Sequence, residues 1–156
     1  LAGATAVYTA FLFGQAKGRS FWESPALPLH MHVHAAVAGA AALYLASFLV
    51  AGIEPLRGVL SLTLALGLVG GLLVMWAELG MKHPDRDAER AARMIHSGRY
   101  GKLFWGGSVI LGSLVPLALA FTGIPALVAL AAALALVGIL VTEHMWIEAP
   151  QLIPLS

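Results

Sequence analysis

Residues Pro125–Ile147 read PALVALAAALALVGILVTEHMWI, and Pro125–Thr142 pass without one ionisable side chain. A helix rises about 1.5 Å per residue, so roughly 20 such residues cross the roughly 30 Å hydrocarbon layer of a bilayer. This stretch is therefore read as a membrane-spanning helix, and the same reading applies on both sides of it. Arg99 to Phe121, Pro55 to Met81 and Ser24-Pro25 to Ala51 are three further spans. Leu1 to Ala16 is a shorter segment, the tail of a span that begins upstream. The fold predicted is an all-α polytopic transmembrane bundle, four full spans plus a partial one. It forms a single transmembrane domain over 1–156, with a charged loop at 82–98. Open sheets are excluded because hydrocarbon offers their backbone groups no partner.

Composition agrees: 60% of residues are hydrophobic, 11% are charged, and mean hydropathy is +0.87. There is no cysteine, which excludes disulfides, thiolate-ligated iron–sulfur clusters and cysteine nucleophiles on this chain. The chain opens with Leu inside an apolar run, without a basic leader region, and reads as a piece of a longer protein rather than as a secreted precursor. No phosphate-binding loop, nucleophile elbow or nucleic-acid-binding stripe is present, and no nucleic-acid partner is expected.

The connections alternate sides, so basic residues decide orientation. Lys17, Arg19, Lys82, Arg86, Arg90, Arg93, Arg99 and Lys102 fall on one side with the C-terminus, and Arg57 alone falls on the other. Eight of nine on one face predicts that this face, C-terminus included, is cytoplasmic. Within 82–98, Glu89 and Arg93 stand at i,i+4 spacing and predict a short surface helix. Gly67 and Gly71 form a GxxxG pair beside Gly70, suited to close helix packing, and Pro116 predicts a kink near Gly112.

Ionisable groups inside spans are costly and mark candidate functional sites. His30, His32 and His34 open the second span, Glu78 closes the third, and Glu143 with His144 stands near the end of the fifth. These ends lie at one depth. The expected polar cluster or proton pathway is thus His30, Glu78, Glu143 and His144, with Gln15 as a further candidate. His30 and His34 share a helix face and His32 opposes them. Interfacial placement, proton relay and ligation of a metal or haem are the alternatives for this triplet. The alternate spacing matches no recognised metal motif, so no metal is assigned. Tyr8, Thr9, Ser108 and Ser113 read as interhelical hydrogen-bonding groups, and Trp76, Trp105, Trp146 and Tyr100 as interfacial anchors.

Three stretches go further. TAFLFGQAKGRSFWESPALPLHMHVHAAVAGAA (Thr9–Ala41), HSGRYGKLFWGGSVILGSLVPLAL (His96–Leu119) and TEHMWIEAPQLIPLS (Thr142–Ser156) resemble the C-terminal half of NrfD, or polysulfide-reductase-like, membrane subunits. The resemblance implies a haem-free anchor of a quinone-linked respiratory or photosynthetic oxidoreductase complex in the inner membrane. It also implies an iron–sulfur partner subunit and menaquinone or ubiquinone shared with the complex. Neither haem nor an iron–sulfur cluster is expected on this chain, which is not catalytic alone. By position, His30, Glu78, Glu143 and His144, with Gln15, Lys17 and Arg19, are the candidates for a proton route. In that family the better characterised quinone pocket belongs largely to the N-terminal bundle, so no quinone contact is assigned. The rival readings are a b-type cytochrome anchor, with His30 or His34 and His144 on one haem, and a proton or solute transporter.

Overall fold

Backbone amides surrounded by hydrocarbon have no water to bond, so each apolar stretch must close its hydrogen bonds within itself as a helix. The structure, a computed structural model, describes residues 2–16 and 20–154, and among these it contains helices and turns but no strand. The basic residues Lys17 and Arg19 lie outside the described residues. The helices are α1 (Ala2–Gly14), α2 (Leu27–Ala46), α3 (Arg57–Gly80), α4 (Arg86–His96), α5 (Leu103–Ala120) and α6 (Pro125–Gln151). Four of them are long and apolar enough to cross a membrane: α2, α3 with the turn from Glu54 that leads into it, α5 and α6. The protein is a multi-pass, all-α membrane protein.

Sequential spans run antiparallel, joined by short connections from α2 to α3 and from α5 to α6 and by the segment that carries α4 from α3 to α5. α2 packs on α3, α3 on α5, α5 on α6 and α6 on α2, which closes a ring of four helices with α1 against α2 on the outside. Where the ring is tightest its lining is small: Ala40, Ala41, Ala131, Ala132 and Ala135 are buried with Val37 and Leu64. Leu49, Trp76, Phe121 and Leu140 are exposed, as apolar side chains facing lipid should be.

Helix ends differ from the sequence expectation for identifiable reasons. α2 begins at Leu27 rather than at Ser24-Pro25, because Ser20–Glu23 forms a 3-10 turn that buries Phe21 and Trp22. Ser24 then closes a turn by accepting the amide of Ala26 on its hydroxyl (3.2 Å) and that of Leu27 on its carbonyl (3.1 Å). α2 stops at Ala46 because Arg57 intervenes. Its Nε donates to Ser47 Oγ and its Nη2 to the Ser47 carbonyl, both at 2.8 Å, and its guanidinium lies 4.1 Å from the Phe48 ring centre. A cation at a helix C-terminus meets the negative end of the macrodipole.

At Pro116 the structure changes helix type. Leu103–Leu114 is wound as a π-helix and Val115–Ala120 as an α-helix. The amide of Val115 reaches back five residues to the Ile110 carbonyl, and Ser113 Oγ donates to the Ser108 carbonyl at 2.9 Å. The proline lacks an N–H, and the wide winding ends at Leu114, two residues before it.

The closest helix approach joins α5 to α6. A Cβ added at Gly138 would stand 2.3 Å from Gly112 Cα, a backbone atom that cannot swing aside. Of the GxxxG pair, Gly67 is held tightly, its added Cβ falling 2.5 Å from Val37 Cγ2, while Gly71 makes ordinary contact with Val33.

α4 is amphipathic and lies across the end of the bundle at which α2 and α5 begin and α3 and α6 end. Ala88, Ala91, Ala92 and Ile95 are buried at helical spacing, and the opposite face carries Arg90–Asp87 and Arg93–Glu89 ion pairs at 3.1 and 2.9 Å. Asp85 caps it, accepting the amides of Asp87 and Ala88 and the hydroxyl of Ser20. The Ala88 amide and then the Ser20 hydroxyl hold the Asp85 carboxyl below the usual carboxylate range.

Gly138→Ala is expected to destabilise the detergent-solubilised protein by about 1–3 kcal/mol, through backbone overpacking against Gly112. Gly39→Ala, whose new methyl meets nothing within 4 Å, serves as the control. Thermal unfolding followed by helicity checks this, and equal midpoints for the two variants would contradict the contact.

Candidate functional site

Three ends of the four-helix ring bring ionisable side chains to one point. His30 stands on the first turn of α2, Glu78 on the last turn of α3, and Glu143 eight residues before the end of α6. His30 Nδ1 lies 2.8 Å from Glu78 Oε2, and its Nε2 lies 3.4 Å from Glu143 Oε1. One helical turn further, His34 Nδ1 lies 2.6 Å from the same Glu143 oxygen. A single line of contacts therefore runs Glu78, His30, Glu143, His34.

Its members differ in exposure. His30 and Glu78 are each 1% exposed, whereas the side chains of His34 and Glu143 are 11% and 22% exposed. Removing a carboxylate from water costs several kcal/mol unless partners replace the lost hydration. For Glu78 those partners are the His30 ring and the indole of Trp146, whose Nε1 donates to Oε2 at 3.0 Å. Trp146 is fixed in turn, since Trp22 Nε1 donates to its carbonyl at 2.9 Å and the His30 ring lies 5.1 Å away.

Two cavities flank the line. One of about 260 Å³ reaches Glu78 from the α4 end and is lined by Ser20, Glu23, Ser24, Lys82 and His83 among others. The other, about 20 Å³, begins at His34 and is lined by Gly112, Ser113, Gly138 and Thr142. Beyond it Thr142 Oγ1 donates to Ser108 Oγ at 2.7 Å, an α5–α6 contact. The first has room for several water molecules and the second for one.

The remaining sequence candidates lie elsewhere. His144 follows Glu143 on α6 and is rotated to another face, where its Nε2 pairs with Glu148 at 2.8 Å, its ring meets Tyr100, and its side chain is 58% exposed. It does not join the cluster, and it does not face His30 or His34 as a pair of axial haem ligands must. Gln15 is exposed at the end of α1, and His32 is exposed on the outer side of α2. Tyr8 is exposed, and Thr9 bonds within its own helix rather than between helices. Trp76 and Trp105 are exposed as interfacial anchors should be, but Trp146 and Tyr100 are buried. Trp146 was legible only as a boundary aromatic. Its spacing from Glu143 at i,i+3 was the available signal that both face inward.

Trp146→Phe keeps the aromatic bulk and removes the donor to Glu78. It is expected to lower stability in detergent by about 1.5–3 kcal/mol, the range for a hydrogen bond to a charged group. Chemical denaturation followed by helicity measures it, and an unchanged midpoint would contradict the contact.

Comparison with known families gives one finding. The family described as "Polysulphide reductase, NrfD" matches residues 1–154. No curated protein and no solved structure is significantly similar to the chain.

Proposed function

This chain belongs to the NrfD family of membrane subunits of quinone-linked oxidoreductase complexes, and from that premise we propose that it anchors such a complex in the cytoplasmic membrane and carries protons through Glu78, His30, Glu143 and His34. The observation that carries the proposal is the line of contacts among these four groups inside an otherwise apolar bundle, with a cavity of about 260 Å³ at the Glu78 end and one of about 20 Å³ at the His34 end. Groups so costly to bury serve function by default.

The chemistry follows from the imidazole. His30 presents one ring nitrogen to each carboxylate, so a proton received at Nδ1 from Glu78 is matched by one released at Nε2 to Glu143. Glu143 passes it to His34 Nδ1 through the shared oxygen. The 260 Å³ cavity supplies Glu78 from the face that carries Lys82, Arg86, Arg90, Arg93, Arg99 and Lys102, which the positive-inside rule makes cytoplasmic, with the C-terminus on that side. His144 is not included in the route.

Electrons need partners, because the chain has no cysteine for an iron–sulfur cluster. The iron–sulfur subunit of the complex docks, in this reading, on the charged α4 end. Quinone, the two-electron, two-proton carrier of such complexes, needs an apolar slot with a donor for each carbonyl. The groove of about 350 Å³ between α1 and Trp22–Pro28 offers the side-chain amide of Gln15, and the indole N–H of Trp22 is committed to Trp146. Among the described residues this falls short of a complete quinone site, and no step is routed through one.

Glu143→Gln, in the complex assembled in proteoliposomes, is expected to reduce proton uptake coupled to quinone turnover about tenfold or more while subunit composition stays intact. His144→Gln should leave it unchanged. Full proton coupling in an assembled Glu143→Gln complex would refute the route.

A further inference from the structure

We propose that His30, His34 and Glu143 form a site for one divalent transition-metal ion of the zinc type, with Glu78 as the outer carboxylate that orients His30. One potential ligand atom from each of the three residues lies within 4.8 Å of the other two. Two imidazoles and one carboxylate, with a fourth position open, make a recurrent zinc ligand set. The histidines come from one helix at i,i+4, and the carboxylate arrives from another helix 109 residues away, which is why the spacing of the triplet alone did not reveal it.

Three further observations point the same way. His30 Nε2 is buried and faces the cluster, 3.4 Å from Glu143 Oε1 but without hydrogen-bond geometry to it. The other nitrogen of that ring is bonded to Glu78, and Glu78 is held by Trp146. A metal-bound histidine characteristically directs its second nitrogen to a carboxylate in this way, which fixes the ring and raises its basicity. Finally, Glu78 and Glu143 bring two carboxylates to the two imidazoles, and a divalent cation offsets carboxylate charge inside a medium that penalises net charge.

The fit needs little movement. Bonds of roughly 2.0–2.1 Å in a tetrahedral set place ligand atoms roughly 3.4 Å apart. His30 Nε2 and Glu143 Oε1 already stand at 3.4 Å, while His34 Nδ1 and Glu143 Oε1, at 2.6 Å, must open. Glu143 is the most exposed of the three, and its side gives the ion its way in.

Metal binding does not rest on the proton-route reading, because it is measured on the chain without turnover. Zinc is titrated into the full chain in detergent against a chromophoric chelator. One ion per chain is expected, with affinity reduced about tenfold or more in His34→Gln and in Glu143→Gln, and about 10–100-fold in Glu78→Gln. His144→Gln, outside the cluster, should bind like the parent. X-ray absorption of the loaded chain should report imidazole nitrogens in the first shell. Absence of stoichiometric binding, or parental affinity in both His34→Gln and Glu143→Gln, overturns the site.

Discussion

The contact between the Glu78 carboxylate and the His30 ring is the constraint around which one end of the bundle is organised. A carboxylate 1% exposed among spanning helices must be met by donors. Each donor is itself positioned by something else: His30 by the start of α2, Trp146 by its place on α6 and by the indole of Trp22, which donates to its carbonyl. The Ser20–Glu23 turn, which contributes Trp22, is thereby tied to α6, and the turn is tied to α4 through Ser20 and the Asp85 cap. The α4 end of the protein is thus one connected polar assembly, and the core of the opposite half is lined largely by alanine.

That division matches what the two halves must do. In lipid there is no hydrophobic force between helices, so close backbone approach and interhelical hydrogen bonds hold them together. Gly112 against Gly138, Gly67 against Val37 and Thr142 against Ser108 supply these in the middle of the bundle. Such rigidity keeps the four ionisable groups within contact distance. A proton relay and a metal site make the same demand on geometry, and the same residues meet one or the other at a time, because a ring nitrogen bound to a metal carries no proton to relay.

The spans were legible because 18 or more apolar residues have few other uses, and the four long helices lie where hydropathy puts them. The depth of His30, Glu78 and Glu143 was legible for the same reason, since charges are rare enough in spans to stand out. Which face each side chain occupies was not. His144 is one residue from Glu143 and points elsewhere, and Trp146 turns inward where boundary tryptophans usually turn to the interface. Facing depends on which helices are neighbours, and a single sequence does not state that. The Gly112–Gly138 contact was hidden for a related reason: its two glycines lie on different helices, so no spacing within one helix announces them.

A double-substitution cycle on His30 and Glu78 tests the central contact most directly, using His30→Leu, Glu78→Leu and the pair together, with unfolding free energy measured in detergent. Each single change strands a buried polar partner and should cost about 3–5 kcal/mol, while the double change removes both and should cost clearly less than their sum, with a coupling of at least about 1 kcal/mol. Strictly additive losses would mean that the two groups do not depend on each other, and the organisation described for this end of the bundle would be wrong.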